Sequence, residues 1–224
     1  MLISFEKSFL FVHIPKTGGT SIRMALSAYQ HENEHWWTNR LLQRCGISIN
    51  YCLGDYRHLR FRTHDPIMAV QRHFPPDTFR SLFKFAFVRN PWDLLVSAYK
   101  YIQTVPSHKR HRLVTNQKFD DFIEFAIAKD IGQQLRMIAD PNGQLLVDFV
   151  GRFENLHGDF AMIAKRIHVQ AELPHVNETR QTTPYQEYYS QRSKDRVQFA
   201  YQDDIETFGY EFDPTDRIAV SAAA

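Results

Sequence analysis

The sequence predicts an α/β protein, a three-layer α/β/α arrangement around a mainly parallel central sheet. Three observations carry that expectation. The runs Ser8–Ile14 and Leu82–Val88 have strand length and are too apolar for strands with one wet face, so they read as buried central ones. Segments with helical spacing alternate with the apolar runs, the pattern of parallel strands joined by crossover helices. The first run ends at Pro15 in a lysine- and glycine-containing turn that opens a helix. With 224 residues, 43% hydrophobic and 14% aromatic, the chain suits one domain over 1–224, closed by a disordered tail of about ten residues.

The elements follow in order. Strand Ser8–Ile14 leads through the turn into a helix from Thr20 to Tyr29. Residues 31–50 are polar and aromatic, with Trp36-Trp37, and fit no period; Ile47–Cys52 reads as a short strand. Pro66–His73 is helical, and Pro75-Pro76 punctuates. After Leu82–Val88, Asn90 is placed as an N-cap with Pro91 at the first helical position of a helix reaching Thr104. A helix over Phe119–Lys129, a buried strand over Leu145–Phe153 and a helix over Asp159–Ile167 come next. A Pro- and Thr-rich loop, Leu173–Pro184, precedes one or two helices between Tyr185 and Phe208.

The formal net charge of +2 implies no polyelectrolyte partner, which argues against nucleic acid. The cluster His108-Lys-Arg-His-Arg112 reads as a solvated loop or as a local contact for an acidic ligand. Cys45 and Cys52 are the only cysteines and lack zinc spacing, and the histidines are scattered, so neither a disulfide framework nor a metal site is expected. No apolar stretch reaches the length of a membrane span and no signal peptide precedes the first strand, so a soluble, cytoplasmic protein is expected.

The chemistry concentrates in two segments. In Phe9–Ile22, glycines let backbone N–H groups close around a phosphate, and Lys16 adds a full charge. A Walker A loop needs its lysine after the second glycine; here Lys16 precedes Gly18 and Gly19. A nucleotide phosphate is expected, but not the γ-phosphate of ATP held with Mg²⁺. In Phe85–Tyr99, Arg89 ends a buried strand, and Ser97 lies about two helical turns after Asn90. Arginine plus a hydroxyl suits a second phosphate. Arg89 could equally pair with Asp93, and Ser97 could be an ordinary surface serine. Both segments fall at carboxyl ends of strands, where open α/β sheets bind ligands.

Ile14-Pro-Lys-Thr-Gly-Gly-Thr-Ser21 resembles the 5′-phosphosulfate loop of PAPS-dependent sulfotransferases, and Val88-Arg-Asn-Pro through Ser97-Ala-Tyr99 is similar to their 3′-phosphate motif. The resemblance is strongest to the carbohydrate branch, with heparan sulfate 2-O- and chondroitin-type enzymes, in its compact bacterial form. It extends through Val147–Leu156, Leu173–Asn177 and Tyr201–Phe212. It implies a nucleotide-kinase-like P-loop fold in which Lys16, Thr17, Gly18, Gly19, Thr20 and Ser21 wrap the 5′-phosphosulfate of PAPS (3′-phosphoadenosine 5′-phosphosulfate). Arg89 and Ser97 would hold the 3′-phosphate, with Arg180 and Thr182 as further contacts. The implied reaction is in-line transfer of a sulfuryl group to an acceptor hydroxyl, on a glycan or glycolipid, leaving adenosine 3′,5′-bisphosphate and needing no metal.

A base must take the acceptor proton, and imidazole titrates near neutrality. His64 matches the place expected of a family histidine, with His58 as runner-up; His13 reads as a packed residue, and Asp65 could orient His64 only if the chain turns back. One departure stands out, because the family usually carries an arginine where this chain has Leu94. A nucleotide or small-molecule kinase on a similar sheet, and a nucleotide-binding homologue without turnover, are the competing readings. Residues 31–50 and 105–118 are the expected source of acceptor contacts.

Overall fold

A computed structural model describes residues 1–31, 56–59, 61–174 and 183–213. The strands are β1 (Leu2–Ser4), β2 (Phe9–Val12), β3 (Phe83–Val88) and β4 (Phe149–Arg152). The helices are α1 (Gly19–Ala25), α2 (Ile67–His73), α3 (Pro76–Ser81), α4 (Pro91–Thr104), α5 (His111–Val114), α6 (Phe119–Ala128), α7 (Leu135–Ile138), α8 (Leu156–Arg166), α9 (Gln191–Ala200) and α10 (Gln202–Phe208). The chain separates into two compact units, residues 1–88 with 136–176 and residues 89–135 with 177–224. The expected features at 47–52, 175–182 and the C-terminal tail, together with Trp36, Trp37 and both cysteines, lie outside the described residues.

The first unit is built on a sheet of order β1-β2-β3-β4. β1 runs antiparallel to β2, and β2, β3 and β4 are parallel, with Phe11 opposite Phe85 and Phe85 opposite Phe149. The fold is therefore α/β with a mostly parallel sheet, as the alternation predicts. Both faces of β2 are closed to solvent, which is why it carries no polar alternation. Phe9, Phe11, Phe85 and Phe87 share one face and pack against Ile22 of α1, Leu26 at its C-cap, and Phe160, Ile163 and Ala164 of α8. Gly151 faces Phe87: a Cβ there would lie 2.6 Å from the ring, so the glycine makes room for it.

The expectation of a buried strand over Leu145–Phe153 is corrected. Only Phe149–Arg152 is a strand, it ends the described sheet, and just one of its four residues is buried. Leu145 instead makes a single bridge to Ala139. Asp159 ties the following turn down, accepting the Arg152 N–H at 2.6 Å and the Asn155 amide at 2.9 Å.

The second unit is helical. Asn90 caps α4 as expected, its side chain accepting the Trp92 N–H at 3.1 Å, and Pro91 takes the first helical position. Tyr189 and Tyr201 are packed rather than displayed, with hydroxyls bonded to the carbonyls of Trp92 and Ile131. A Ser190–Ser193 capping box opens α9, and Arg196 reaches Glu124 of α6 through two bonds of 3.0 Å. Within the basic cluster, His111 starts the short helix α5 and donates from Nδ1 to the Ile102 carbonyl, so this stretch is part helix and not simply a loop. No helix among the described residues is long and apolar enough to cross a membrane.

Candidate active site

β2 delivers its chain to a strained turn. Lys16 sits at φ 68, a left-handed conformation that costs a side-chain-bearing residue energy and is kept where the surroundings insist on it. Thr17 is fully buried and its hydroxyl donates to the Ile14 carbonyl at 2.9 Å, closing the turn from inside. Gly18, at φ 78, is the N-cap of α1 and lies against Leu156 and Phe153. Thr20 and Ser21 stand in the first turn, which contains no acidic residue to compete with an anion.

Gly19 explains the next contact. Its backbone runs so close to His13 that a Cβ would fall 2.0 Å from the imidazole. His13 is buried, and its Nδ1 has no hydrogen-bond partner among the described residues. Burial, helped by the neighbouring His64, pushes its pKa down to about 3, so His13 is a neutral ring at physiological pH. The expectation that it is packed holds.

His64 meets His13 edge to face, with ring centroids 4.6 Å apart, and its Nδ1 lies 2.9 Å from the His13 carbonyl oxygen. A carbonyl only accepts, so Nδ1 must carry the proton. In neutral His64 the lone pair is then on Nε2. The residue itself is exposed. Asp65 does not orient this ring; it accepts the Arg62 N–H at 2.7 Å and braces the turn that holds His64. His58 ends a 3-10 turn, Tyr56–His58, and its side chain lies outside the described residues.

In the second unit, Arg89 is buried one residue beyond the end of β3. Its Nε donates to Asp93 at 2.7 Å, so the pairing open in the sequence is made. Arg89, Asp93 and Ser97 follow at intervals of four and line one side of α4 and its entry. Ser97 is half-buried. Leu94, in the place of the usual arginine, is buried, with its Cδ2 2.7 Å from where a Cβ on Gly132 would sit.

Sequence reasoning passed over two buried polar residues, Gln134 and Asp204. The Gln134 side chain pairs with the backbone of Arg89, and both oxygens of Asp204 accept backbone N–H groups, from Gln134 and Leu135. Nothing local announces them: a glutamine ahead of a four-residue helix and an aspartate in the first turn of α10 look like surface residues. Arg180 and Thr182 lie outside the described residues.

A model of the sulfotransferase family matches residues 1–211. The chain belongs to the sulfotransferase family. An uncharacterized protein of Archaeoglobus fulgidus is 31% identical to this sulfotransferase over 110 residues, which are 48% of this chain and 86% of that protein. Family membership gives sulfuryl transfer as the general chemistry and leaves donor, acceptor, base and site residues to be argued from the chain itself.

Proposed function

We propose that this sulfotransferase moves a sulfuryl group from PAPS to a hydroxyl of a glycan or glycolipid, with His64 as the base. When bound, PAPS supplies the activated sulfuryl group and leaves as adenosine 3′,5′-bisphosphate. The strained Lys16 turn, tight at two glycines and free of carboxylates in the following helical turn, suits the 5′-phosphosulfate. There Lys16 neutralises charge on the leaving phosphate, and Gly18, Gly19, Thr20 and Ser21 wrap it. Thr17, whose hydroxyl proton is committed to Ile14, contributes through its backbone N–H. Arg89, oriented through Nε by Asp93, holds the 3′-phosphate with Ser97, and Arg180 and Thr182 add contacts.

The observation that carries the reading is the bond from His64 Nδ1–H to the His13 carbonyl. It fixes the tautomer a general base needs, with Nε2 as acceptor, and His13 is the same residue that packs against Gly19. His13 thus meets the base through its carbonyl and the turn through its ring. Aromatic and basic residues within 31–50 and 105–118 suit an acceptor with acidic groups.

The test combines ligand stabilisation with turnover. Adenosine 3′,5′-bisphosphate at 100 times its Kd should stabilise the protein by about 2.7 kcal/mol, and ATP–Mg²⁺ should not. His64→Ala should abolish transfer from radiolabelled PAPS to a panel of polysaccharides and lipids while keeping that stabilisation. Stabilisation by ATP–Mg²⁺ alone would sink the donor assignment. Full activity in His64→Ala would move the base to His58.

A further inference from the structure

We infer that Gln134, seated by Asp204, is a positioning residue for Arg89 and sets how strongly this enzyme discriminates for a 3′-phosphate. The inference rests on the donor reading above. Val88 is the last residue of β3 with a partner in the sheet ladder, opposite Arg152. Arg89 therefore carries its N–H and C=O beyond the ladder while remaining buried. One side-chain amide takes over: Gln134 Oε1 accepts the Arg89 N–H at 2.8 Å, and Gln134 Nε2 donates to the Arg89 carbonyl at 2.8 Å. This is the double exchange that an antiparallel strand residue makes with its opposite number, supplied here by a side chain.

The glutamine is itself held. Asp204 Oδ2 accepts the Gln134 N–H and Oδ1 accepts the Leu135 N–H, each at 2.8 Å. Gln134 is 0% and Asp204 3% exposed. Glutamine and aspartate are seldom buried to that degree, and each must keep its partners to be tolerated there. Burial raises the Asp204 pKa to about 6, against the pull of the N–H groups it accepts.

On its other side Arg89 is tied by Nε to Asp93. The residue is thus held at its main chain by Gln134 and through Nε by Asp93. A guanidinium recognises phosphate by a planar fork of donors, and that fork is worth most when it is already aimed. Neither Gln134 nor Asp204 needs to touch the nucleotide; both act through the arginine. Glutamate at 134 would offer no donor to the Arg89 carbonyl, and methionine would remove both bonds to the Arg89 backbone.

The experiment is calorimetric titration of the full chain with adenosine 3′,5′-bisphosphate and with adenosine 5′-monophosphate, which lacks only the 3′-phosphate. The wild type should favour the bisphosphate. Gln134→Met should shrink that preference by roughly tenfold or more, the scale of one mis-aimed charge-assisted contact, and leave the monophosphate affinity within about twofold. Should Gln134→Met fail to fold, Asp204→Asn gives the same readout with a smaller shift in the same direction. A preserved preference overturns the inference alone, as does an equal loss for both nucleotides, which is what a merely structural role produces. A wild type without any preference overturns the donor reading and this inference with it.

Discussion

A single added carbon at Gly19 would land 2.0 Å from His13 Cδ2 and 2.2 Å from Nε2, well inside any contact distance. The glycine is thus required by the histidine packed against it. Gly19→Ala should push the imidazole away, loosen the His13 carbonyl as the acceptor of His64, and cost about 1–3 kcal/mol of stability, as overpacking does. The measurement is urea denaturation beside transfer activity: both should fall. Unchanged activity at wild-type stability would show that His13 gives way without consequence. The strained glycine turn around Lys16 and the strand-end place of Arg89 are legible in the sequence because residue types and order are local in the chain. The His13–His64 link is not, since it joins residues 51 apart through a backbone oxygen that no sequence pattern marks.

At the scale of elements, α4 shows what local signals convey. Asn90, Pro91 and the apolar spacing up to Thr104 set both ends correctly, because caps and a first-turn proline act on their immediate neighbours. Pro75-Pro76 reads as punctuation in the sequence, yet the same rule applies there, with Pro76 beginning α3. The three-residue β1 and four-residue α7 are too short to carry a period and exist through pairing with distant chain. Leu94 belongs to this scale because its helix buries it against Gly132. Restoring the arginine usual at this place, Leu94→Arg, should therefore destabilise the protein by about 3 kcal/mol or more, the cost of a buried charge without a partner. Calorimetry should show Tm lower by roughly 10 °C. An unchanged Tm with tighter binding of the bisphosphate would mean that the new guanidinium escapes the core and reaches the phosphate.

Across the whole molecule, His13 of the first compact unit and Asp204 of the second are buried titratable groups whose displacements pull stability in opposite directions, the Met1 amino group, lowered to about 5 by burial, acting in the same sense as His13. His13 of the first unit has its pKa depressed from 6.5 to about 3. Its folded form resists the proton that the unfolded chain accepts, so the stability it secures is complete above pH 6.5 and drains away as pH falls towards 3. Asp204 of the second unit is raised from 3.8 to about 6. Here the folded form holds the proton more tightly, so stability declines as pH rises from about 4 to 6 and is level above that. Each slope approaches about 1.4 kcal/mol per pH unit inside its window. Asp120 and Glu124 are held low by Ser193 and Arg196 respectively, and both are wet enough for the effect to be screened. Hydrogen exchange at pH 4.5 and 6.5, corrected for intrinsic rates, separates the two. On acidification the amides of β2 and β3 should lose protection while those of Gln134, Leu135 and α10 gain it. His13→Gln should weaken the first response, leaving the part carried by the Met1 amino group, and Asp204→Asn should remove the second. A common direction in both units, persisting in both variants, would show that neither group governs the acid response.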